Sequence, residues 1–152
     1  MIEFMKGDLL DSQAHALVNT VNCVGVMGKG IALQFKKVFP DNYEVYREAC
    51  KHNRIRPGKM FIFKTGPVFP MYVINFPTKQ HWKNKSKMKW IVDGLTDLRT
   101  IIRKLDLESI AIPALGCNNG GLNWRDVKPI IVKKLSVIED TRILIYEPRE
   151  GQ

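Results

Sequence analysis

Val18-Asn-Thr-Val-Asn-Cys-Val-Gly-Val-Met-Gly-Lys-Gly-Ile-Ala-Leu-Gln-Phe35 carries a strand end, a glycine-rich crossing and a helix start in one run. Gly25, Gly28 and Gly30 permit tight backbone paths close to a ligand. Ile31, Ala32, Leu33 and Phe35 give the apolar spacing of a helix over residues 31–37, stopped before Pro40. A helix starting near Gly30 points its first amides outward, unpaired and partly positive, which suits a phosphate. The plainer reading is a glycine turn entering a helix. The run has neither a full GxGxxG nor a GxxxxGK[ST] pattern, so by itself it favours that plainer reading.

A second stretch changes the balance. Pro113-Ala-Leu-Gly-Cys-Asn-Asn-Gly-Gly-Leu-Asn-Trp124 also follows an apolar strand and precedes a helix. Its backbone amides can form another anion-binding nest. Two such loops in one small domain fit a diphosphate.

Outward from these loops, strand-like and helix-like runs alternate. Residues 2–6, 16–19, 59–64, 71–75, 109–113 and 142–146 read as strands. Residues 41–51 read as a helix with Asp41 as its N-cap. Trp90, Leu95, Leu98, Ile101, Ile102 and Leu105 recur at helical intervals, and residues 124–135 form a further helix that Pro129 either begins or bends. The alternation predicts an α/β layered domain. Short apolar strands such as Ile110-Ala111-Ile112 suit a sheet covered on both faces. Polar or glycine-rich clusters follow four strands, at residues 7–8, 19–30, 76–79 and 116–121. In open α/β sheets ligands gather at the carboxyl ends of strands, so the four clusters are expected to converge on one crevice.

The chain has 152 residues, which favours a single domain over 1–152. With 45% hydrophobic and 26% charged residues it can bury a core, and disorder is not indicated. No apolar run is long enough for a membrane span, and the N-terminus lacks the pattern of a secretory signal. A soluble cytoplasmic protein is expected. The three cysteines (Cys23, Cys50, Cys117) and three histidines form no ligand pattern, so neither metal nor redox cofactor is expected. A formal net charge of +9 and a pI of about 9.6 attract polyanions. Residues 79–89 concentrate that charge, with five lysines, one histidine and one tryptophan.

Taken together, Gly7-Asp8-Leu9, residues 18–22, residues 27–32 and residues 115–122 resemble the ADP-ribose pocket of macrodomains, in the same order and at similar separations. The resemblance covers essentially the whole chain. It implies a three-layer α/β/α fold with a mixed, mostly parallel central sheet. Residues 75–82 resemble most the antitoxin branch that reverses DNA ADP-ribosylation, a branch similar to terminal ADP-ribose protein glycohydrolases.

Residue roles follow from that resemblance. Asp8 would accept from the adenine amino group beside the Leu9 backbone. An aspartate that merely caps its own turn is the alternative. Asn19, Thr20 and Asn22 would lie near the distal ribose, with Asn22 at the scissile end as a catalytic candidate beside Lys79. Gly28, Lys29, Gly30, Ile31 and Ala32, with Gly116, Cys117, Asn118, Asn119, Gly120, Gly121 and Leu122, would enclose the diphosphate and distal ribose. Thr78 would support its neighbour Lys79. A lysine in a partly dry pocket loses some preference for its charged form, and its neutral amine can attack an anomeric carbon. It can instead act as a charged group on the departing base. The terminal glycohydrolases carry an acidic residue in the second glycine loop, aligned here with Gly120, so a carboxylate-assisted route does not transfer.

The basic run directly after Lys79 points to a nucleic-acid strand. Lys83, Lys85, Lys87 and Lys89 would contact phosphates, with His81 and Trp82 beside them. Trp82 and Trp90 offer stacking faces, although Trp90 also fits the apolar helix face and Trp82 a loop anchor. The expected substrate is thymidine-ADP-ribosylated single-stranded DNA, with free ADP-ribose as ligand and product. A cognate ADP-ribosyltransferase toxin is the implied partner, and no membrane is. The rivals are hydrolysis of glutamate or aspartate esters of ADP-ribose on protein, and a binding module that does not cut.

Overall fold

The computed structural model describes residues 1–148. Its elements are β1 (Ile2–Met5), β2 (Ala16–Val21), α1 (Gly30–Val38), α2 (Pro40–Lys51), β3 (Phe61–Lys64), β4 (Tyr72–Pro77), α3 (Met88–Lys104), β5 (Ser109–Ile112), α4 (Trp124–Leu135) and β6 (Arg142–Tyr146). The strands form one sheet in the order β1-β6-β5-β2-β4-β3. All neighbours run parallel except β3, which pairs antiparallel with β4 at the edge. This is the expected three-layer, mostly parallel architecture.

The two-residue strand period explains the two covered faces. Ala16 and Val18 of β2, Ile110 and Ile112 of β5, and Ile143 and Ile145 of β6 pack with α3 and α4. Leu17, Ala111 and Leu144, the residues between them, face the other side with Phe35 of α1. Burying an aliphatic side chain contributes roughly 1.5–3 kcal/mol, so each register is set from both faces.

Three local expectations need correction. Asp41 does not cap α2: the helix begins at Pro40, with Phe39 as N-cap and Asp41 in the first turn. Proline at the first helical position has no amide to lose, and an aspartate one residue in still favours the helix dipole. The buried stripe of α3 is Ile91, Gly94, Leu95, Leu98 and Ile102, so Trp90 lies off the core, with the Lys87 ammonium 5.1 Å from its ring centroid. Strands β2 and β4 also run two residues past Asn19 and Asn75, the expected ends, and pair in register through Asn19 with Asn75 and Val21 with Pro77. Pro129 lies inside α4, whose start is capped by the Asn123 side chain accepting from the Arg125 amide at 3.0 Å.

Because β1, β2, β4, β5 and β6 are parallel, their carboxyl ends share one edge. The four polar clusters all leave the sheet there. No helix among the described residues is long and apolar enough to cross a membrane.

Candidate functional site

Three buried amides tie the strand ends together. Asn19 and Asn42 both donate to Asn75 Oδ1, at 3.3 and 3.2 Å. Asn75 Nδ2 donates to Asn42 Oδ1 at 2.8 Å and to the Phe61 carbonyl at 3.1 Å. The network therefore joins β2, β4, α2 and β3. Asn19 Oδ1 is left buried with no partner.

The first glycine loop folds over this network. Met27 is buried and approaches Asn19 Nδ2 through its sulfur at 3.9 Å. Asn22 shapes the loop itself. Its Oδ1 accepts from the amides of Val24 and Val26 and from the Tyr46 hydroxyl, at 3.1, 3.3 and 2.8 Å, while its Nδ2 donates to the Val26 carbonyl at 2.8 Å. The Asn22 oxygen is thus engaged in shaping the loop, which leaves only its amide nitrogen for the expected contact at the scissile end. Gly28, Lys29 and Gly30 stay exposed. Lys29 caps α1 without a side-chain bond, so the first-turn amides at Gly30, Ile31 and Ala32 stay available to an anion.

The second loop offers fewer amides than expected. Those of Cys117, Gly120, Gly121 and Leu122 donate to Ala114, Cys117, Asn118 and Gly116 carbonyls within the loop, at 2.9–3.1 Å. Among the described residues, the amides of Gly116, Asn118 and Asn119 carry no backbone partner outside helices and strands. The nest therefore narrows to the exposed turn at Asn118 and Asn119. The two loops face each other closely: a Cβ added at Gly30 would lie 3.0 Å from Asn119 Nδ2.

Lys79 is fixed beside the first loop. Thr78 is buried, and its amide donates to the Val21 carbonyl at 2.9 Å. The Cys23 amide donates to the Gln80 carbonyl at 3.1 Å, and the Cys23 thiol to the Lys79 carbonyl at 3.3 Å. Lys79 Nζ reaches the Trp82 carbonyl at 3.5 Å. Burial, and then the charge of Lys29, hold the Lys79 amine below the ordinary lysine range. Neither cause is a carboxylate.

Beyond Lys79 the basic run is largely open. Lys83, Lys85 and Lys87 are exposed, His81 is half-buried, and Trp82 is 46% exposed with the Lys83 ammonium 5.2 Å from its ring centroid. Lys89 differs, being paired with Asp93 at 2.9 Å. The run is tied to the second loop, because the Ser86 amide donates to the Gly120 carbonyl at 2.9 Å. Asp8 caps the short turn Leu9–Asp11 by accepting from the Leu10 amide at 3.0 Å, and the Leu9 side chain is buried. The capping alternative therefore accounts for one Asp8 oxygen. Thr20 is half-buried on β2. An open hollow of about 530 Å³ lies behind the first loop, lined by residues such as Cys23, Arg47 and Cys50. It contains neither Lys79 nor any residue of the second loop, and it is a separate surface feature.

Sequence reasoning missed Tyr46, Cys23, Asn42 and Ser86. Tyr46 and Asn42 lie on a helix whose buried face gives no hint of partners on the strand ends. Cys23 and Ser86 sit inside stretches already singled out, but nothing in their spacing marks their bonds.

The chain belongs to the Macro domain family, whose model matches residues 18–131. More particularly, it is 48% identical to a DNA ADP-ribosyl glycohydrolase of Thermus aquaticus over 152 residues, covering 99% of this chain and 42% of that protein. The macrodomain of Mycobacterium tuberculosis DarG superposes with a TM-score of 0.96 at 50% identity, covering 97% of this chain and 98% of that one. Thermosipho africanus DarTG in complex with ADP-ribose gives a TM-score of 0.92 at 37% identity, covering 99% of this chain and 42% of that one. The chain thus spans about two fifths of the length of the curated relatives it matches, at 42% and 43%.

Proposed function

We propose that this macrodomain binds ADP-ribose and hydrolyses its bond to thymidine bases in single-stranded DNA, as the catalytic part of an antitoxin opposing an ADP-ribosyltransferase toxin in the cytoplasm. The observation that carries the reading is the place of Lys79. It is held by the first glycine loop, its proton affinity is lowered, and an exposed basic run follows it directly. The names of the relatives agree with this chemistry.

The α1 amides and Lys29 take the diphosphate, whose charge they complement. Asn118 and Asn119 close the opposite wall. Asp8, in the turn that follows β1, takes the adenine amino group with its remaining oxygen. The distal ribose then lies toward Lys79. The neutral Lys79 amine attacks the anomeric carbon, a new C–N bond forms, and the bond to the base nitrogen breaks. The base leaves with the electron pair and takes a proton from the newly cationic lysine nitrogen. Water then hydrolyses the lysine adduct, releasing ADP-ribose and restoring the amine. A thymine imide nitrogen is a better leaving group than an ordinary amide, which suits a site whose lysine has no carboxylate helper. Lys83, Lys85 and Lys87 hold the strand by its phosphates, and Trp82 gives a stacking face worth ~1–3 kcal/mol per base.

The test is incubation with thymidine-ADP-ribosylated single-stranded DNA and mass analysis of the products, beside a glutamyl-linked protein substrate. Restored oligonucleotide plus ADP-ribose is expected. Turnover of the protein substrate alone removes the DNA reading. Lys79→Ala is expected to keep affinity for ADP-ribose in calorimetry and to lose turnover. Unchanged turnover in that variant removes Lys79 from the mechanism.

A further inference from the structure

Among the described residues, two buried side-chain atoms lack any hydrogen-bond partner, Asn19 Oδ1 and Ser86 Oγ. Each is packed under a glycine loop, the Asn19 side chain by Met27 of the first and Ser86 Oγ against Gly120 of the second. Ser86 is only 7% exposed. A buried hydroxyl without a partner costs roughly 1–3 kcal/mol, whereas alanine would fill nearly the same space without that cost. A buried orphan beside a loop assigned to the ligand is the kind of group whose partner a ligand can supply.

We propose that Ser86 is a further ADP-ribose-binding residue, whose hydroxyl donates to an oxygen of the distal half of the ligand, its second phosphate or its distal ribose. The inference rests on the ADP-ribose reading of the cleft. Three observations support it. The Ser86 main chain is tied to the second loop, because its amide donates to the Gly120 carbonyl at 2.9 Å, so only the side-chain torsion and the hydroxyl hydrogen are left to adjust. Gly120 leaves the space: a Cβ there would lie 2.6 Å from Ser86 Oγ and 3.2 Å from Ser86 Cβ. The neighbouring Lys85 stem lies equally close to Gly121, with its Cδ 3.3 Å from where a Cβ would stand. The pair Gly120-Gly121 therefore admits the segment after Lys79 to the wall of the cleft. Most amides of this loop are engaged internally, so a hydroxyl supplies polarity that the backbone there does not.

The distal half is the consistent choice. The first-turn amides of α1 serve the diphosphate from the other wall, and Ser86 belongs to the segment that leads out of Lys79. A hydroxyl donor needs an acceptor oxygen, which both the second phosphate and the ribose provide.

The experiment is calorimetric titration of wild type and Ser86→Ala with ADP-ribose and with AMP, alongside thermal melts. Ser86→Ala is expected to bind ADP-ribose about tenfold more weakly, to bind AMP as wild type does, and to melt at the same temperature or higher. Ser86→Thr, which keeps a hydroxyl, is expected to recover part of the lost affinity. Wild-type affinity for ADP-ribose in Ser86→Ala overturns the proposal. An equal loss toward AMP overturns it too, as does a loss that comes with a melting temperature several degrees lower. Wild type with no affinity for ADP-ribose overturns the cleft reading itself, and this inference with it.

Discussion

The Cys23 thiol donates to the main-chain oxygen of Lys79 at 3.3 Å, while the Cys23 amide holds the next carbonyl, that of Gln80, at 3.1 Å. Two bonds from one residue of the first glycine loop thus hold the carbonyls of Lys79, the proposed nucleophile, and of its neighbour Gln80. Burial, and then the nearby Cys50, push the thiol up to about 12, so it stays protonated and remains a donor at any working pH. Cys23→Ser keeps a donor at that place and is expected to stay within about threefold of wild-type kcat. Cys23→Val removes it and is expected to lower kcat about tenfold with KM little changed, because a small misplacement of a reacting group affects the rate more than the binding. Steady-state kinetics on the modified oligonucleotide checks both. A Cys23→Val enzyme with wild-type kcat shows that the backbone bond alone sets Lys79.

The pH dependence has a definite sign. Lys79 titrates below the ordinary lysine range because it is partly buried and faces Lys29. A nucleophilic amine must be neutral, so kcat/KM is expected to rise with pH through that lowered value and then level off. Lys29→Ala removes one of the two causes, and the rising limb is expected to move to higher pH. It also weakens diphosphate binding, so the midpoint of the limb is the quantity to read, not its height. A rate that falls as pH rises through the same region identifies Lys79 as a charged electrostatic group and rules out nucleophilic attack.

The sheet was legible because its strands are covered on both faces: Ile110-Ala111-Ile112 and residues 143–145 are apolar at every position and fit little else. The loops were legible because glycine marks positions where the backbone must turn, as at Gly30 and Gly116, both with positive φ. Asparagine misled at the strand ends. Asn19 and Asn75 look like turn residues, yet they are buried within their strands, where the Asn19 amide donates to Asn75 Oδ1. Polarity in a sequence signals exposure only when no partner waits across the sheet, and that partner lies 56 residues away. Roles within the loops were illegible for the same reason. Neither the Tyr46 hydroxyl on Asn22 nor the Ser86 hydroxyl at Gly120 follows from local spacing.

The basic run makes a separable prediction. Lys83, Lys85 and Lys87 are exposed, whereas Lys89 is paired with Asp93. The triple change of the first three to alanine is expected to weaken binding of unmodified single-stranded DNA and to reduce the slope of log K against log salt by ~2, at about 0.7 per phosphate contact. Affinity for free ADP-ribose is expected to fall much less than affinity for the oligonucleotide, since the diphosphate is assigned to the α1 amides and Lys29. Lys89→Ala is expected to leave the slope unchanged. Titrations of a fluorescent oligonucleotide at several salt concentrations measure all of these, and an unchanged slope in the triple variant sinks the strand assignment.

Gly94 links the core to the site. It sits on the buried face of α3, and a Cβ there would lie 2.3 Å from the Phe76 ring. No side chain fits unless Phe76 moves. Phe76 is wholly buried on β4, three residues before Lys79. Gly94→Ala is therefore expected to destabilise by ~1–3 kcal/mol through overpacking, although alanine favours a helix over glycine by about 1 kcal/mol. In a domain of this size that lowers Tm by about 2–4 °C per kcal/mol. Displacement of Phe76 also shifts the strand end that carries Thr78 and Lys79, so kcat is expected to fall by more than the loss of folded protein explains. Phe76→Leu opens the space, and the double variant is expected to recover both Tm and kcat relative to Gly94→Ala alone. A double-mutant cycle in which the two changes simply add shows that α3 absorbs the methyl by moving away from the sheet, and that the core does not set the position of Lys79.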